Sequence, residues 1–147
     1  MTNNLKLILS TFTRQEHQND CGRACLTSIF KYAGIKHTGN NMENSGELSL
    51  LELHKIAAQS GLDSRCVRMD LPTLKEGKAP CILHVLNDAG QPHFIVHYPA
   101  AFGPGLHLIG DPDRKIELVP EEVLLRKWKS GAALYFEDIE PRNDLSH

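Results

Sequence analysis

The chain has no long apolar run, no marked excess of either charge and few cysteines. Its 147 residues carry 16 basic and 18 acidic side chains, for a net charge of -2. This balance gives no electrostatic attraction to nucleic acid or to an anionic membrane surface, so we expect no nucleic-acid partner. No stretch approaches the ~20 apolar residues of a transmembrane helix. The N-terminus also lacks the basic head of a signal peptide. We therefore expect a cytoplasmic protein.

The four cysteines do not predict a disulfide framework, because a domain of this length that stays in the cytoplasm needs no covalent staples. Cys66 and Cys81 lie in apolar, strand-like surroundings, and we expect both to be small buried residues. Cys25 follows Cys21 by four positions, so it lies one helical turn further along, and we expect it to point into the core.

One domain accounts for the whole length. We expect residues 1–14 to be a lead-in, residues 15–137 to form the domain, and residues 138–147 to be a polar tail or the start of a linker. Hydrophobic periodicity and stop signals give the elements. The predicted helices lie at 20–34, 49–59 and 120–128, with a helical turn at 71–76 and a loop at 36–48. The predicted strands lie at 63–69, 81–86, 93–98, 106–110 and 132–136. Helices come first and strands later, which indicates an α+β class with an antiparallel sheet.

Cys21 is the candidate nucleophile. It directly follows Asp20, a plausible N-cap, at the start of the first predicted helix. The unpaired amides and the dipole of a helix N-terminus favour the thiolate, which is the reactive form of a cysteine. Gly22 leaves the thiol uncrowded.

His93 and Asp111 are the candidate partners of that thiol. His93 begins a predicted strand and could project from the sheet edge as a base, and an imidazole needs a third group to fix its orientation. Asp111 follows a strand that we expect to pair beside that of His93, and Pro112 ends it. The side-chain amide of Gln15 and the backbone N–H of Cys21 are candidate donors to an oxyanion.

Metal sites are the weaker interpretation of these residues. His17, Cys21 and Cys25 could be imagined around an ion, but no second Cys/His pair with suitable spacing exists. His93 and His97 lie on a strand, where four residues span ~13 Å, which is too far to grip one metal. His54, His84 and His107 are interpreted as surface or hydrogen-bonded core residues. We expect neither a metal nor a cofactor.

With these residues in place, the chain resembles the C39 peptidases, the papain-like bacteriocin-processing domains of peptidase-containing ABC transporters. The resemblance covers about residues 15–136. It rests on three segments, which are Gln15…Asp20-Cys21-Gly22-Arg23-Ala24-Cys25-Leu26, His93-Phe94-Ile95-Val96 and Asp111-Pro112. Ser28 departs from the family pattern, since members often have methionine there, and so does Tyr32-Ala33-Gly34, where Tyr-Gly is common.

The resemblance implies a papain-like fold in which N-terminal helices pack against an antiparallel sheet. It implies that Cys21 is the nucleophile, His93 the general base and acid, Asp111 its orienting residue and Gln15 the oxyanion donor. The implied reaction is cleavage of a secreted peptide precursor after a Gly-Gly-type pair. The implied partners are the leader peptide and the transmembrane and ATPase domains of an ABC transporter.

Two other functions stay open at this point. One is a non-catalytic docking module that recruits secretion substrates, for which Cys21 would be dispensable. The other is a different thiol enzyme on the same fold, such as an acyl transferase or amidase, which would ignore the Gly-Gly signal.

Overall fold

A computed structural model describes residues 2–17, 19–36, 47–100, 102–137 and 139, with only the backbone described for residues 2 and 3. The helices are α1 Thr2–Thr11, α2 Cys21–Ala33, α3 Leu50–Gln59, α4 Leu71–Glu76 and α5 Glu121–Lys127. The strands are β1 Ser64–Arg68, β2 Cys81–Leu86, β3 Pro92–Tyr98, β4 Leu106–Gly110, β5 Ile116–Pro120 and β6 Ala132–Phe136. In this described part of the chain, no helix is long and apolar enough to cross a membrane.

The strands form one sheet in the order β1-β6-β2-β3-β4-β5, and every neighbouring pair is antiparallel. The β2–β3 hairpin closes through a polar turn, in which Asn87 Oδ1 accepts hydrogen bonds from the amides of Ala89 and Gln91. Gly90 in this turn has φ +77°, a backbone conformation that glycine adopts at little cost. The predicted strands and this hairpin are confirmed.

The sheet is covered on both faces because the side chains of its central strands alternate between two cores. On β3, Phe94, Val96 and Tyr98 face α1, α2 and α3, and they belong to the larger apolar cluster. Ile95 faces the other way, into a smaller cluster that includes Leu124 of α5. The predicted α+β class, with N-terminal helices packed against an antiparallel sheet, is confirmed.

Local sequence signals explain where α2 and α3 begin and end. Gly34 closes α2 in the left-handed conformation, with φ +71°. Ser49 and Glu52 form a capping box at the start of α3, in which each side chain bonds the other residue's backbone N–H. The predicted positions of these two helices are therefore correct to within a residue.

The structure differs from expectation at three places. The predicted lead-in contains α1, which places Leu7 and Ile8 in the main core. β5, which was not predicted, forms one edge of the sheet. The expected burial of Cys66 is wrong, because β1 forms the other edge and leaves that side chain exposed, whereas Cys81 is buried as expected. Of the predicted loop, residues 37–46 lie outside the described residues, and so do residues 140–147 of the predicted tail.

Candidate active site

Cys21 is the first residue of α2 and is half-buried. Asp20 occupies the N-cap position, as predicted, but its side chain makes no capping bond. Its carboxylate instead contacts Arg23 at 3.3 Å. The cap side chain therefore does not occupy the first amides of the helix, and the thiol lies beside a partial positive charge.

His93 and Asp111 meet because β3 and β4 are neighbours. Val96 pairs with Gly110, which places Asp111 just past the end of β4 and diagonally across from His93. Nε2 of His93 lies 2.7 Å from Oδ1 of Asp111, and both side chains are largely buried. A short bond of this kind fixes both the orientation and the tautomer of the imidazole.

The imidazole of His93 also interacts with the side chain of Cys21, which helps to raise its pKa, so the ring connects the helix and the sheet. Because Nε2 is committed to Asp111, Nδ1 is the ring nitrogen left for the sulfur. Burial alone would lower the pKa of His93, but the hydrogen bonds and negative charges of Asp111 and Cys21 outweigh it and raise this pKa to about 9. The ring is therefore a cation at neutral pH.

Asp111 is held as a carboxylate by its surroundings. Burial acts to raise its pKa, but the bond to His93, the positive charge of that ring, the amide of Asp113 and the charge of Lys127 together lower it. The amide of Asp113 donates to Oδ1 at 3.0 Å. The Asp111 amide also donates to the carbonyl of Lys115, which closes the β4–β5 turn.

Gln15 lies on the segment that joins α1 to α2. Its backbone N–H donates to the carbonyl of Pro112 at 2.9 Å, which ties this segment to the turn that carries Asp111. Its side-chain Nε2 donates to the carbonyl of His17 at 3.0 Å. The four residues singled out from the sequence thus lie on two parts of the fold that are hydrogen-bonded to each other. Gln15 and Cys21 belong to α2 and the loop before it, and His93 and Asp111 lie at adjoining ends of β3 and β4.

Two cavities lie at the site. One, of ≈ 370 Å³, is lined by Cys21 itself, by the start of α3 including Leu50, and by Pro92 and Phe94 of the sheet. The other, of ≈ 270 Å³, lies on the α5 side beneath His93 and Asp111. Its floor is apolar and its rim carries charges of both signs, including Asp88 and Lys127.

The family model of the peptidase C39 family matches residues 10–140. The chain belongs to the peptidase C39 family. It is 31% identical to the pediocin PA-1 transport/processing ATP-binding protein PedD of Pediococcus acidilactici, over 84% of this chain and 18% of that protein. It spans about a fifth of the length of this and the lactococcin-A relative from Lactococcus lactis.

Solved structures of C39 peptidase domains have the same fold. The peptidase domain of ComA, a bifunctional ABC transporter of Streptococcus, is 25% identical with a TM-score of 0.72, over 88% of this chain and 97% of that one. A double glycine motif protease from an AMS/PCAT transporter, solved with its leader peptide, is 26% identical with a TM-score of 0.70, over 88% of this chain and 89% of that one.

The other cysteines of this C39 domain differ from Cys21. Cys25 and Cys81 are fully buried. Burial raises the pKa of Cys25 well above its usual range, and the charges of Cys21 and Asp111 add to the effect. Burial also raises the pKa of Cys81 to about 12 and, more weakly, that of the exposed Cys66. Cys66 therefore provides an accessible thiol outside the site for comparison with Cys21.

The structure also groups residues that the sequence patterns did not connect. Nε2 of His97 lies 2.9 Å from Nδ1 of His107, whose Nε2 lies 3.0 Å from Glu121. His107 is therefore a hydrogen-bonded core residue, as the sequence interpretation allowed. Within the described residues, no three His, Cys, Asp or Glu side chains converge on a metal position. Because side chains alternate along β3, the sequence indicates that His93 and His97 lie on the same face of the sheet. No local sequence pattern indicates that His107 on β4 is the partner of His97.

Proposed function

We propose that the chain is a cysteine endopeptidase that removes the leader of a secreted peptide precursor by cutting after a Gly-Gly-type pair. The observation that carries the proposal is the position of His93, whose ring lies 2.7 Å from the carboxylate of Asp111 and interacts with the side chain of Cys21. A nucleophile, a base and an orienting carboxylate in contact are what thiol-based acyl transfer requires.

In the proposed reaction, the thiolate of Cys21 attacks the carbonyl carbon of the second glycine. The His93 imidazolium, whose pKa is raised to about 9, then gives its proton to the leaving amine. A thioester links Cys21 to the leader. Water activated by the neutral imidazole hydrolyses this thioester, which frees the leader and restores the ion pair. Asp111 keeps the ring oriented throughout.

The tetrahedral intermediates place negative charge on the former carbonyl oxygen. We assign the backbone N–H of Cys21 and the side-chain amide of Gln15 as its hydrogen-bond donors. Two observations support this assignment. The side chain of Asp20 leaves the start of α2 without a capping bond. The backbone of Gln15 is fixed to Pro112, next to the orienting carboxylate.

The ≈ 370 Å³ cavity is our proposed leader site, because it contains Cys21 and is otherwise rich in apolar side chains. An amphipathic leader would bury its apolar face against Leu50 and its neighbours, and the Gly-Gly pair would pass the thiol. The double glycine motif protease that was solved with its leader peptide supports this substrate class. Affinity would then come from contacts away from the cleaved bond.

We further propose that cleavage is coupled to export and takes place in the cytoplasm. Two of the relatives, PedD and ComA of Streptococcus pneumoniae, are named transport/processing ATP-binding proteins. By this similarity, the partners of the domain are the transmembrane and ATPase domains of an ABC transporter.

The test uses a synthetic precursor with an amphipathic leader and a Gly-Gly junction, incubated with wild type and with Cys21→Ala. Mass spectrometry should show one cut, directly after Gly-Gly, by wild type alone. Cys66→Ala is the matched control, since it removes an exposed thiol outside the site, and it should cleave like wild type.

Three results would contradict the proposal. Cleavage by Cys21→Ala would refute the assignment of Cys21 as the nucleophile. Binding of the leader without cleavage by wild type would favour a docking module. Cleavage at junctions without Gly-Gly, independent of the leader, would indicate a general amidase.

A further inference from the structure

The segment Phe12–Gln15 joins α1 to the loop before Cys21, and three of its residues contact three different parts of the site. Phe12 packs on β4, Thr13 bonds α2, and Gln15 bonds the turn after β4. We call this segment the strap.

The α2 contact of the strap is made by Ser28. Its Oγ accepts a hydrogen bond from the backbone N–H of Thr13 at 2.8 Å, and its hydroxyl donates to the carbonyl of Ala24 at 3.0 Å. Ser28 is fully buried. A buried amide that loses its acceptor must either move or stay unpaired, and an unpaired buried amide costs free energy. Ser28 therefore holds the strap against α2, the helix that carries Cys21.

The β4 contact is a close packing of Phe12 against Gly110. A Cβ built on Gly110 would lie only 2.8 Å from two ring carbons of Phe12. The ring therefore occupies the space that any other residue at position 110 would fill. Because Gly110 immediately precedes Asp111, the strap rests on the backbone that positions the carboxylate.

We propose that Ser28 is a positioning residue that acts through the strap to set the location of the Gln15 side chain for oxyanion binding. Thr13 lies only two residues before Gln15, so release of its amide frees the end of the strap that Ser28 holds. The packing of Phe12 on Gly110 and the bond from Gln15 to Pro112 then remain as the other two attachments. This inference rests on the oxyanion role of Gln15 in the proposed function.

A double-mutant cycle on kcat tests the proposal, using wild type, Ser28→Ala, Gln15→Ala and the double variant. Gln15→Ala alone should lower kcat by about 10²–10³, as expected for an oxyanion donor. Ser28→Ala alone should lower kcat at least about tenfold, equivalent to about 1.4 kcal/mol, with KM unchanged. In the Gln15→Ala background, the same serine change should cost less than about twofold, because the group it positions is absent.

Two further measurements separate positioning from a loss of structure. The alkylation rate of Cys21 by iodoacetamide should be the same in Ser28→Ala and wild type, because the Thr13–Ser28 bond that is removed involves neither Cys21 nor His93. Ser28→Thr, which keeps the hydroxyl, should restore most of kcat. Ser10→Ala is the matched control, since Ser10 bonds only the Leu7 carbonyl of its own helix, and it should behave like wild type.

The failures are distinguishable. Equal losses from Ser28→Ala in both backgrounds would overturn the positioning role and leave the oxyanion role of Gln15 standing. A kcat of Ser28→Ala equal to that of wild type would also overturn the positioning role and leave the oxyanion role of Gln15 standing. Wild-type kcat in Gln15→Ala would remove the oxyanion role, and the positioning role with it. If the serine variant unfolds below the assay temperature, Phe12→Leu provides a second release of the strap, and it must show the same dependence on Gln15.

Discussion

At the scale of the residue, the site depends on how His93 is charged. Its ring is buried, which disfavours the cation, yet its interactions with Asp111 and Cys21 raise its pKa to about 9. Cys21, His93 and Asp111 were all predicted from sequence, because a cysteine at a helix start and residues at strand ends have local signals. The anchoring of Gln15 was not predicted, because its bond to Pro112 joins segments almost a hundred residues apart.

Asp111→Asn should move the alkaline limb of the pH profile. The carboxylate raises the pKa of His93 through a hydrogen bond and its charge, so an amide in its place lowers that pKa. In the proposed mechanism the imidazolium is the proton donor, and in this variant it should be lost at a lower pH than the wild-type value of about 9. The profile of kcat/KM against pH measures this, and an alkaline limb that does not move would contradict the assigned partner.

Leu50→Glu should weaken recognition of the leader without affecting the chemistry. Leu50 lines the cavity that contains Cys21, and a carboxylate there would be desolvated by an apolar leader. We expect KM to rise about tenfold or more while kcat changes little, which corresponds to a loss of uniform binding. Leu125→Glu is the control, because Leu125 is an exposed leucine that does not line this cavity. Equal effects from both variants would place the leader elsewhere.

At the scale of the element, the helices and strands with clear end signals were predicted closely. The capping box at Ser49 and the glycine after α2 fix two helices in the sequence itself. α1 was missed because its apolar run is short, and its helix is stabilised by packing Leu7 and Ile8 on the core. β5 was missed because a short edge strand depends on its neighbour β4, with which it pairs along its whole length.

Gly110→Ala should disrupt the contact between the strap and β4. The added methyl would lie 2.8 Å from the half-buried Phe12 ring and 3.0 Å from the buried Tyr98 ring, so at least one ring must shift. Overpacking of this kind costs about 1–3 kcal/mol of the free energy of unfolding. Urea denaturation measures the loss. Adding Phe12→Leu should recover part of the stability, and no recovery would show that Phe12 is not the obstructing group.

At the scale of the whole molecule, the sheet has two faces with different roles. One face packs α1, α2 and α3, and the other packs α4 and α5. The antiparallel class was predictable from the order of helices and strands. The strand order was not, because β6 inserts between β1 and β2 through contacts distant in sequence. The pairing of β3 with β4 also brings His97 and His107 together, although they are ten residues apart in sequence. His107 in turn bonds Glu121, which forms an ion pair with Lys75.

The buried His97 should make the fold less stable in acid. Burial and, to a lesser extent, the charge of His107 lower the pKa of His97 to about 3, against about 6.5 for an unfolded histidine. The unfolded chain therefore takes up a proton below pH 6.5 that the folded chain refuses until about pH 3. This stability is present above pH 6.5 and is lost as the pH falls.

The expected loss from His97 is about 2 kcal/mol between pH 7 and pH 5. His97→Gln keeps an N–H that can donate to His107 but cannot be protonated in this range. The free energy of unfolding should therefore fall less in this variant than in wild type over the same interval. Urea titrations at the two pH values measure the difference. An identical fall in both proteins would show that His97 is protonated in the folded state.

The central claim is that Cys21 is the nucleophile that attacks the carbonyl of the second glycine at the end of a leader. The most direct measurement is the site of modification by a leader peptide whose terminal Gly-Gly carries a chloromethyl ketone. At pH 7, peptide mapping should find one adduct, on Cys21, and none in His93→Ala. The exposed Cys66 should stay unmodified in the same molecule. Equal modification of Cys21 and Cys66, or no adduct on Cys21, would contradict the account.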